Sequence, residues 1–308
     1  MKKITINEVG MRDGLQSLQR VMSTSDKRKW IDAAYAAGIR YMEVASFVPA
    51  KLLPQMADAG EVVAHALSYP DLIVTALAPN LRGAENALAA GVHRVIAPIS
   101  VSAAHSQANV RRTPLEMVEE FARMCELRTR SGRHQVQMMA GMSVAFGCTR
   151  QGEVPLADLC ELTRRVLETG CDLVSLGDTT GYATPGQVGE TLDAVREIAG
   201  YKLHAAHFHD TRGLALANSL VAVQHGIREL DSSLAGLGGC PFAPGASGNA
   251  VTEDLVFMLE SMGFATGIDL PRLIESRSLL QQALPDEPLY GYIARAGLPK
   301  HFSSPANA

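Results

Sequence analysis

A parallel (β/α)8 barrel with extra C-terminal helices is the fold class this sequence predicts, on three observations. Eight short runs rich in β-branched and aliphatic residues alternate with longer stretches of helical periodicity. Glycines 38, 91, 132, 170, 200 and 226 each fall just ahead of one of these runs, where a helix should end in a left-handed residue. Eight strand–helix units with no linker fit the roughly 250–300 residues of such a barrel. A single doubly wound sheet usually has fewer units, and no G-x-G-x-x-G follows the first run.

The predicted strands lie at residues 4–9, 41–45, 72–77, 94–99, 135–144, 173–176, 202–208 and 229–234. Two helix starts are marked in the same way. Thr113-Pro114-Leu115-Glu116 and Thr184-Pro185-Gly186-Gln187 each read as an N-cap, a proline at the first helical position and a capping-box partner. Leu115, Val118, Ala122 and Cys125 then have the spacing of a buried helical stripe. Two further helical stretches, at about 270–283 and 289–295, lie outside the eightfold count. The expected organisation is one domain over residues 1–308: a barrel at about 3–263, then a helical extension at about 264–300 that serves as a cap or a dimer surface.

Composition excludes several classes. The 308 residues are 47% hydrophobic and 19% charged, enough apolar material for a sizeable core. Net charge is −4 with no basic stripe, so nucleic acid is not an expected partner. No apolar run reaches the roughly 18–20 residues of a membrane span. The first residues enter a strand pattern at once, so neither a signal nor a transit peptide is expected. The five cysteines are odd in number and form no C-x-x-C pair, which fits free thiols in a reducing cytoplasm.

In a (β/α)8 barrel the active site lies at the C-terminal ends of the strands, and the polar residues here gather at those ends. The first strand runs into Glu8, Arg12 and Asp13, and the second ends at Glu43 and Ser46. Asn80 follows the third, Ser100 and Ser102 the fourth, and Asp178 ends the sixth. The seventh ends at His207, His209 and Asp210. On a strand, His207 and His209 share a face while Phe208 points away, and two imidazoles on one face are half of a metal site. Each position has a plainer alternative. Glu8 and Glu43 can be buried acids paired with an arginine, Asp178 a turn cap and Asp210 a helix cap. Cys148 reads as inert core, and Cys125, Cys160 and Cys171 as packing residues. Cys240 differs, because it sits in a glycine-rich loop that can close over a ligand and carry its thiol into the site; the plainer alternative is a phosphate-cradling loop in which the cysteine is incidental.

Four segments carry a resemblance. "EVGMRDGLQ" (8–16), "GDTTGYATP" (177–185), "HFHDTRGLALAN" (207–218) and "GLGGCPFAPGASGNAVTEDLV" (236–256) are similar to the signatures of the 3-hydroxy-3-methylglutaryl-CoA lyase family, within a wider group of metal-dependent barrel lyases and synthases. The resemblance runs from about residue 4 to 284, and the cysteine loop is its most specific segment. It implies that Asp13, His207, His209 and Asn249 bind one divalent cation. A carboxylate, an amide oxygen and two imidazoles suit Mg2+ or Mn2+ better than a closed zinc site. It implies that Arg12 contacts a thioester carbonyl and that Cys240 is the catalytic thiol. It implies that Glu43, Asp178 and Glu253 are supporting groups, and that Gln16, Ser46 and Ser102 face or support the substrate. The implied reaction is the retro-Claisen cleavage of a 3-hydroxyacyl-CoA, foremost 3-hydroxy-3-methylglutaryl-CoA to acetoacetate and acetyl-CoA, with Asp13 and His207 as candidate bases. A homodimer or higher homo-oligomer is the default expectation.

Met11, Thr149, Arg212 and Phe242 depart from the family's usual residues, which puts the acyl group in question rather than the reaction. Citramalyl-CoA or an isoprenoid-branched glutaryl-CoA are alternative substrates, and Arg212 could favour a differently placed carboxylate. The rival readings are a condensing synthase of the same group and a non-catalytic metal-binding barrel.

Overall fold

The computed structural model describes residues 2–238, 248–300 and 302. The chain folds as β1 (Thr5–Glu8), α1 (Thr24–Ala36), β2 (Tyr41–Ser46), α2 (Ala59–Ala66), β3 (Ile73–Leu77), α3 (Leu81–Ala90), β4 (Arg94–Ser100), α4 (Ala103–Val110) and α5 (Pro114–Arg130). It continues as β5 (Gln137–Ser143), α6 (Leu156–Leu167), β6 (Leu173–Asp178), α7 (Pro185–Ala199), β7 (Leu203–Phe208), α8 (Ala215–Gln224), β8 (Glu229–Ser232), α9 (Thr252–Ser261), α10 (Leu270–Ala283) and α11 (Ile293–Ala296). The strands pair in sequence order, and β8 returns to β1 in parallel, closing a (β/α)8 barrel.

The strand burial patterns are nearly continuous, as expected for strands covered on both faces. All six glycines predicted to end helices take positive φ. Gly38 shows why a side chain is excluded there. A Cβ would sit 2.3 Å from the Gly267 carbonyl oxygen, because the start of the C-terminal extension packs directly on the α1–β2 turn. Asp269 N also donates to Ala37 O, and α10 then lies along α1. Further on, Tyr290 N donates to Ala235 O, so the extension also braces the exit of β8.

Three local expectations need correction. The capping box at Thr113–Glu116 forms, with both reciprocal bonds present. Leu115, however, is exposed and Ala122 only half-buried. The buried face of α5 is instead Met117, Val118, Phe121, Met124 and Cys125, because the helix turns about one residue further than the proposed stripe. The second box does not form. Thr184 makes no side-chain cap, and Gln187 donates its amide to Phe146 O instead, tying α7 to the β5 exit. The stretch predicted at 289–295 is largely irregular, with only Ile293–Ala296 helical. Cys125, Cys148, Cys160 and Cys171 are free thiols, and no described helix is long and apolar enough to cross a membrane.

Candidate metal and substrate site

The site begins with an unusual turn. After β1, the Val9 carbonyl accepts from Arg12 N, Asp13 N and Gly14 N, so Gly10–Gly14 forms one π-helical turn. Such wide turns recur at functional sites, and this one delivers Arg12 and Asp13 to the same cavity. Arg12 is buried and held by Glu43 from β2, Nε to Oε1 at 2.7 Å and Nη2 to Oε2 at 2.8 Å. Its Nη1 reaches Asp13 Oδ1 at 2.5 Å. A guanidinium has about five N–H donors, so this fixed group keeps further donors for a ligand.

Opposite, His207 and His209 come from the end of β7, with ring centroids 4.9 Å apart. Phe208 between them packs outward against Phe146. Asn249 is brought alongside by backbone pairing. Asp210 N donates to Gly248 O, Ala250 N donates to Phe208 O, and His209 and Asn249 form an isolated antiparallel bridge. Gly248 permits this approach, since a Cβ there would lie 2.0 Å from the Gly238 oxygen.

Asp13, His207 and His209 can each offer one atom to a common point, these atoms lying within 4.8 Å of one another. Asp13 Oδ2 is 3.5 Å from His209 Nε2, 4.0 Å from His207 Nε2, and accepts from Asn249 Nδ2 at 2.9 Å. Among the described residues, Asn249 Oδ1 and His209 Nδ1 are buried with no hydrogen-bond partner. A buried acceptor left unpaired is costly, and a carboxylate, two imidazoles and an orphaned amide oxygen fit a divalent cation.

The charges are tuned by burial and by each other. Burial would raise the Asp13 pKa, but Arg12 and the two histidines outweigh it and hold the carboxyl well below its ordinary range. Burial would lower His207, but a hydrogen bond to Asp231 and the charge of Asp13 push it upward. Burial raises Glu43 above its ordinary value despite the opposing pull of Arg12. Burial likewise raises Asp178 and Glu253.

Arg12, Asp13, His207, His209 and Asp231 form the polar floor of a cavity of about 820 Å³. Gln16 lines it and donates to Asp13 Oδ1 at 3.2 Å. Ser46 lines it with its buried hydroxyl unpartnered. Val48, Pro49, Leu52, Leu53, Leu77, Pro79 and Val110 supply an apolar wall, and Asn109 and Arg111 a polar edge.

Other predicted residues lie elsewhere. Ser102 is not on the cavity wall; it caps α4, accepting from His105 N. Asn80 caps α3, although it also lines the cavity. Asp178 Oδ1 takes the backbone N–H groups of Tyr182 and Ala183, while its buried Oδ2 has no hydrogen-bond partner. Asp210 accepts from Ala215 N at the start of α8. Glu253 is fully buried, ion-pairs with Arg277 and accepts from Ala235 N, so it fixes the turn after β8. Glu8 pairs with no arginine among the described residues; it accepts from Gly10 N, Leu234 N and the Thr252 hydroxyl. The proposed specificity role of Arg212 fails on geometry. It is absent from the cavity wall, donates to Thr180 O and Gly181 O, and stacks on the Tyr182 ring. Cys240 and Phe242 lie outside the described residues.

The HMGL-like family matches residues 3–280. The human mitochondrial hydroxymethylglutaryl-CoA lyase is 41% identical over 283 residues, covering 92% of this chain and 86% of its own. The chain belongs to the HMGL-like family. Among solved members, the hydroxymethylglutaryl-CoA lyase of Pseudomonas aeruginosa superposes with a TM-score of 0.90 at 38% identity, over 96% of this chain and 97% of that one. The HMG-CoA lyase of Acinetobacter baumannii, solved with coenzyme A and 3-methylmalate, gives a TM-score of 0.90 at 35% identity, over 98% and 97%.

The sequence reading missed several residues that shape this HMGL-like site. Asp231 lines the cavity and bonds His207, Asn7 bonds Asp231, and Arg277 pairs with Glu253. Asp231 carried a usable signal. Asp231 and Glu229 alternate on β8, and two acids on one face of an otherwise buried strand call for partners.

Proposed function

We propose that this protein is a divalent-metal-dependent carbon–carbon lyase that cleaves 3-hydroxy-3-methylglutaryl-CoA to acetoacetate and acetyl-CoA. One observation carries the reading: Asp13, His207 and His209 meet beside a fixed arginine on one large cavity, and the Asn249 amide bonded to Asp13 keeps a buried oxygen with no hydrogen-bond partner among the described residues. Membership of the HMGL-like family supports it, and the coenzyme A bound to the Acinetobacter lyase supports an acyl-CoA as substrate.

Asp13, His207, His209 and Asn249 would hold the cation, with Mg2+ and Mn2+ the proposed ions. When bound, it supplies the positive charge that lowers the pKa of a substrate hydroxyl. A base in the site takes the hydroxyl proton, and the bond between the carbinol carbon and the carbon alpha to the thioester breaks. The electron pair passes to the thioester as an enolate. Arg12 stabilises the developing charge on the thioester oxygen, and its bidentate grip on Glu43 keeps it aimed before the reaction starts. Cys240 returns a proton to the enolate carbon, giving acetyl-CoA. Ser46 and Gln16 contact the acyl group from the cavity wall. Arg111, which ion-pairs with no described residue, is a cation on the cavity edge for the nucleotide phosphates.

The test offers 3-hydroxy-3-methylglutaryl-CoA and citramalyl-CoA in parallel, with Mg2+ or Mn2+ and with Cys240→Ala as control. The expected result is acetoacetate from the first substrate, lost in the variant. Pyruvate from the second alone would move the substrate. No cleavage of either would overturn the reading.

A further inference from the structure

We infer that Asp231 is a positioning residue that sets the tautomer and ring orientation of His207 for cation binding; the inference rests on the metal reading above. Strand register brings three residues to one level of the barrel. His207 on β7 stands opposite Asp231 on β8, and Asn7 on β1 stands opposite the same Asp231 across the closure. Asn7 Nδ2 donates to Asp231 Oδ1 at 2.8 Å, which fixes the plane of the carboxylate. The second oxygen, Oδ2, then faces His207 Nδ1 at 3.1 Å.

An ionised carboxylate only accepts hydrogen bonds. His207 Nδ1 therefore carries the hydrogen, and Nε2 keeps its lone pair. Nε2 is the nitrogen that faces Asp13, in the cluster shared with His209. Metal-binding histidines are commonly fixed in this way, by a carboxylate on the other ring nitrogen. Asp231 is buried, and no arginine or lysine among the described residues forms an ion pair with it. Its hydrogen bonds are accounted for by Asn7 and His207. The two imidazoles are thus prepared differently. His209 is placed by backbone pairing with Asn249 and has a free Nδ1, whereas His207 is placed by a side-chain relay across three strands.

Asp231→Asn tests this with little change of volume. The new amide keeps its oxygen on the Asn7 donor and turns its NH2 toward His207 Nδ1. That forces the ring hydrogen onto Nε2 and blocks the lone pair. Mn2+ binding to metal-stripped protein is read by the electron paramagnetic resonance of the free ion, without substrate. Wild type and Asp231→Asn are compared with His209→Ala and Asn7→Ala. The expected result is a 10–100-fold weaker Mn2+ affinity in Asp231→Asn, with an unchanged thermal midpoint of the metal-free protein and activity recovered at high Mn2+. Asn7→Ala, which only loosens the carboxylate, should show a smaller loss. Unchanged affinity in Asp231→Asn, alongside loss in His209→Ala, would overturn the positioning role alone. If Asp231→Asn does not fold, unchanged affinity in Asn7→Ala overturns it. No Mn2+ binding by the wild type overturns the metal reading, and the inference with it.

Discussion

The two ends of this barrel each bury an arginine in the grip of a glutamate, yet they are built for different purposes. At the N-terminal end, Arg94 of β4 holds Glu229 of β8, Nη1 to Oε1 at 2.5 Å and Nη2 to Oε2 at 3.3 Å. Arg94 Nε is taken by Gln137, and His204 closes on the same glutamate. At the C-terminal end, Arg12 is gripped in the same bidentate way by Glu43. Around it, however, stand buried polar atoms with no hydrogen-bond partner among the described residues: Asn249 Oδ1, His209 Nδ1 and the Ser46 hydroxyl. The first network closes on itself and belongs to folding. The second is held rigid from behind and left open in front, as a preorganised site must be.

Four substitutions would break or sharpen this contrast. The largest effect is expected from Arg94→Met, which strands Glu229 among buried neighbours. Unfolding free energy in urea should fall by about 3–5 kcal/mol, while kcat of the folded protein is unchanged; a loss of kcat at full folding would erase the distinction between the ends. Arg12→Gln should do the reverse, lowering kcat by about 10²–10³-fold, or about 3–4 kcal/mol, in a steady-state assay. A defect confined to KM would show that Arg12 only binds.

Glu8 gives a pH test beside the mouth. Burial outweighs its three hydrogen bonds and raises its pKa from 4.5 to about 7. Between those values the native state holds a proton that the unfolded chain has released. Stability should therefore fall as pH rises from 4.5 to about 7, by about 3 kcal/mol in all. Glu8→Gln keeps an acceptor for Gly10 and Leu234 and can donate to Thr252, so it should flatten that part of the profile in denaturation curves. An unaltered slope would assign the effect to another group. The smallest effect belongs to Ser102→Ala. Loss of the α4 cap should cost about 1 kcal/mol and leave KM alone, and a raised KM would return Ser102 to the substrate.

What the sequence revealed follows from how local each signal is. The eight strands and their order were readable, because glycine stops, proline starts and apolar runs are written within a few neighbouring residues. His207 and His209 were readable for the same reason: two residues apart on a strand means one face. Asp231 was not, because its meaning depends on β8 closing against β1 and on which residues then stand level. Arg277 was hidden likewise, since α10 had to be folded back before it could meet Glu253. Leu115 and the Thr184 box misled because spacing alone does not fix the face a helix presents or whether a cap closes. Arg212 misled because a departure from a motif shows that a residue differs, not where its side chain goes.

The central claim is that Asp13, His207, His209 and Asn249 at the C-terminal mouth hold one divalent cation. The most direct measurement is the anomalous difference map of crystals grown with Mn2+. The account predicts one strong peak within bonding distance of Asp13, His207, His209 and Asn249. A mouth without a peak, or a peak held by other residues, would contradict it.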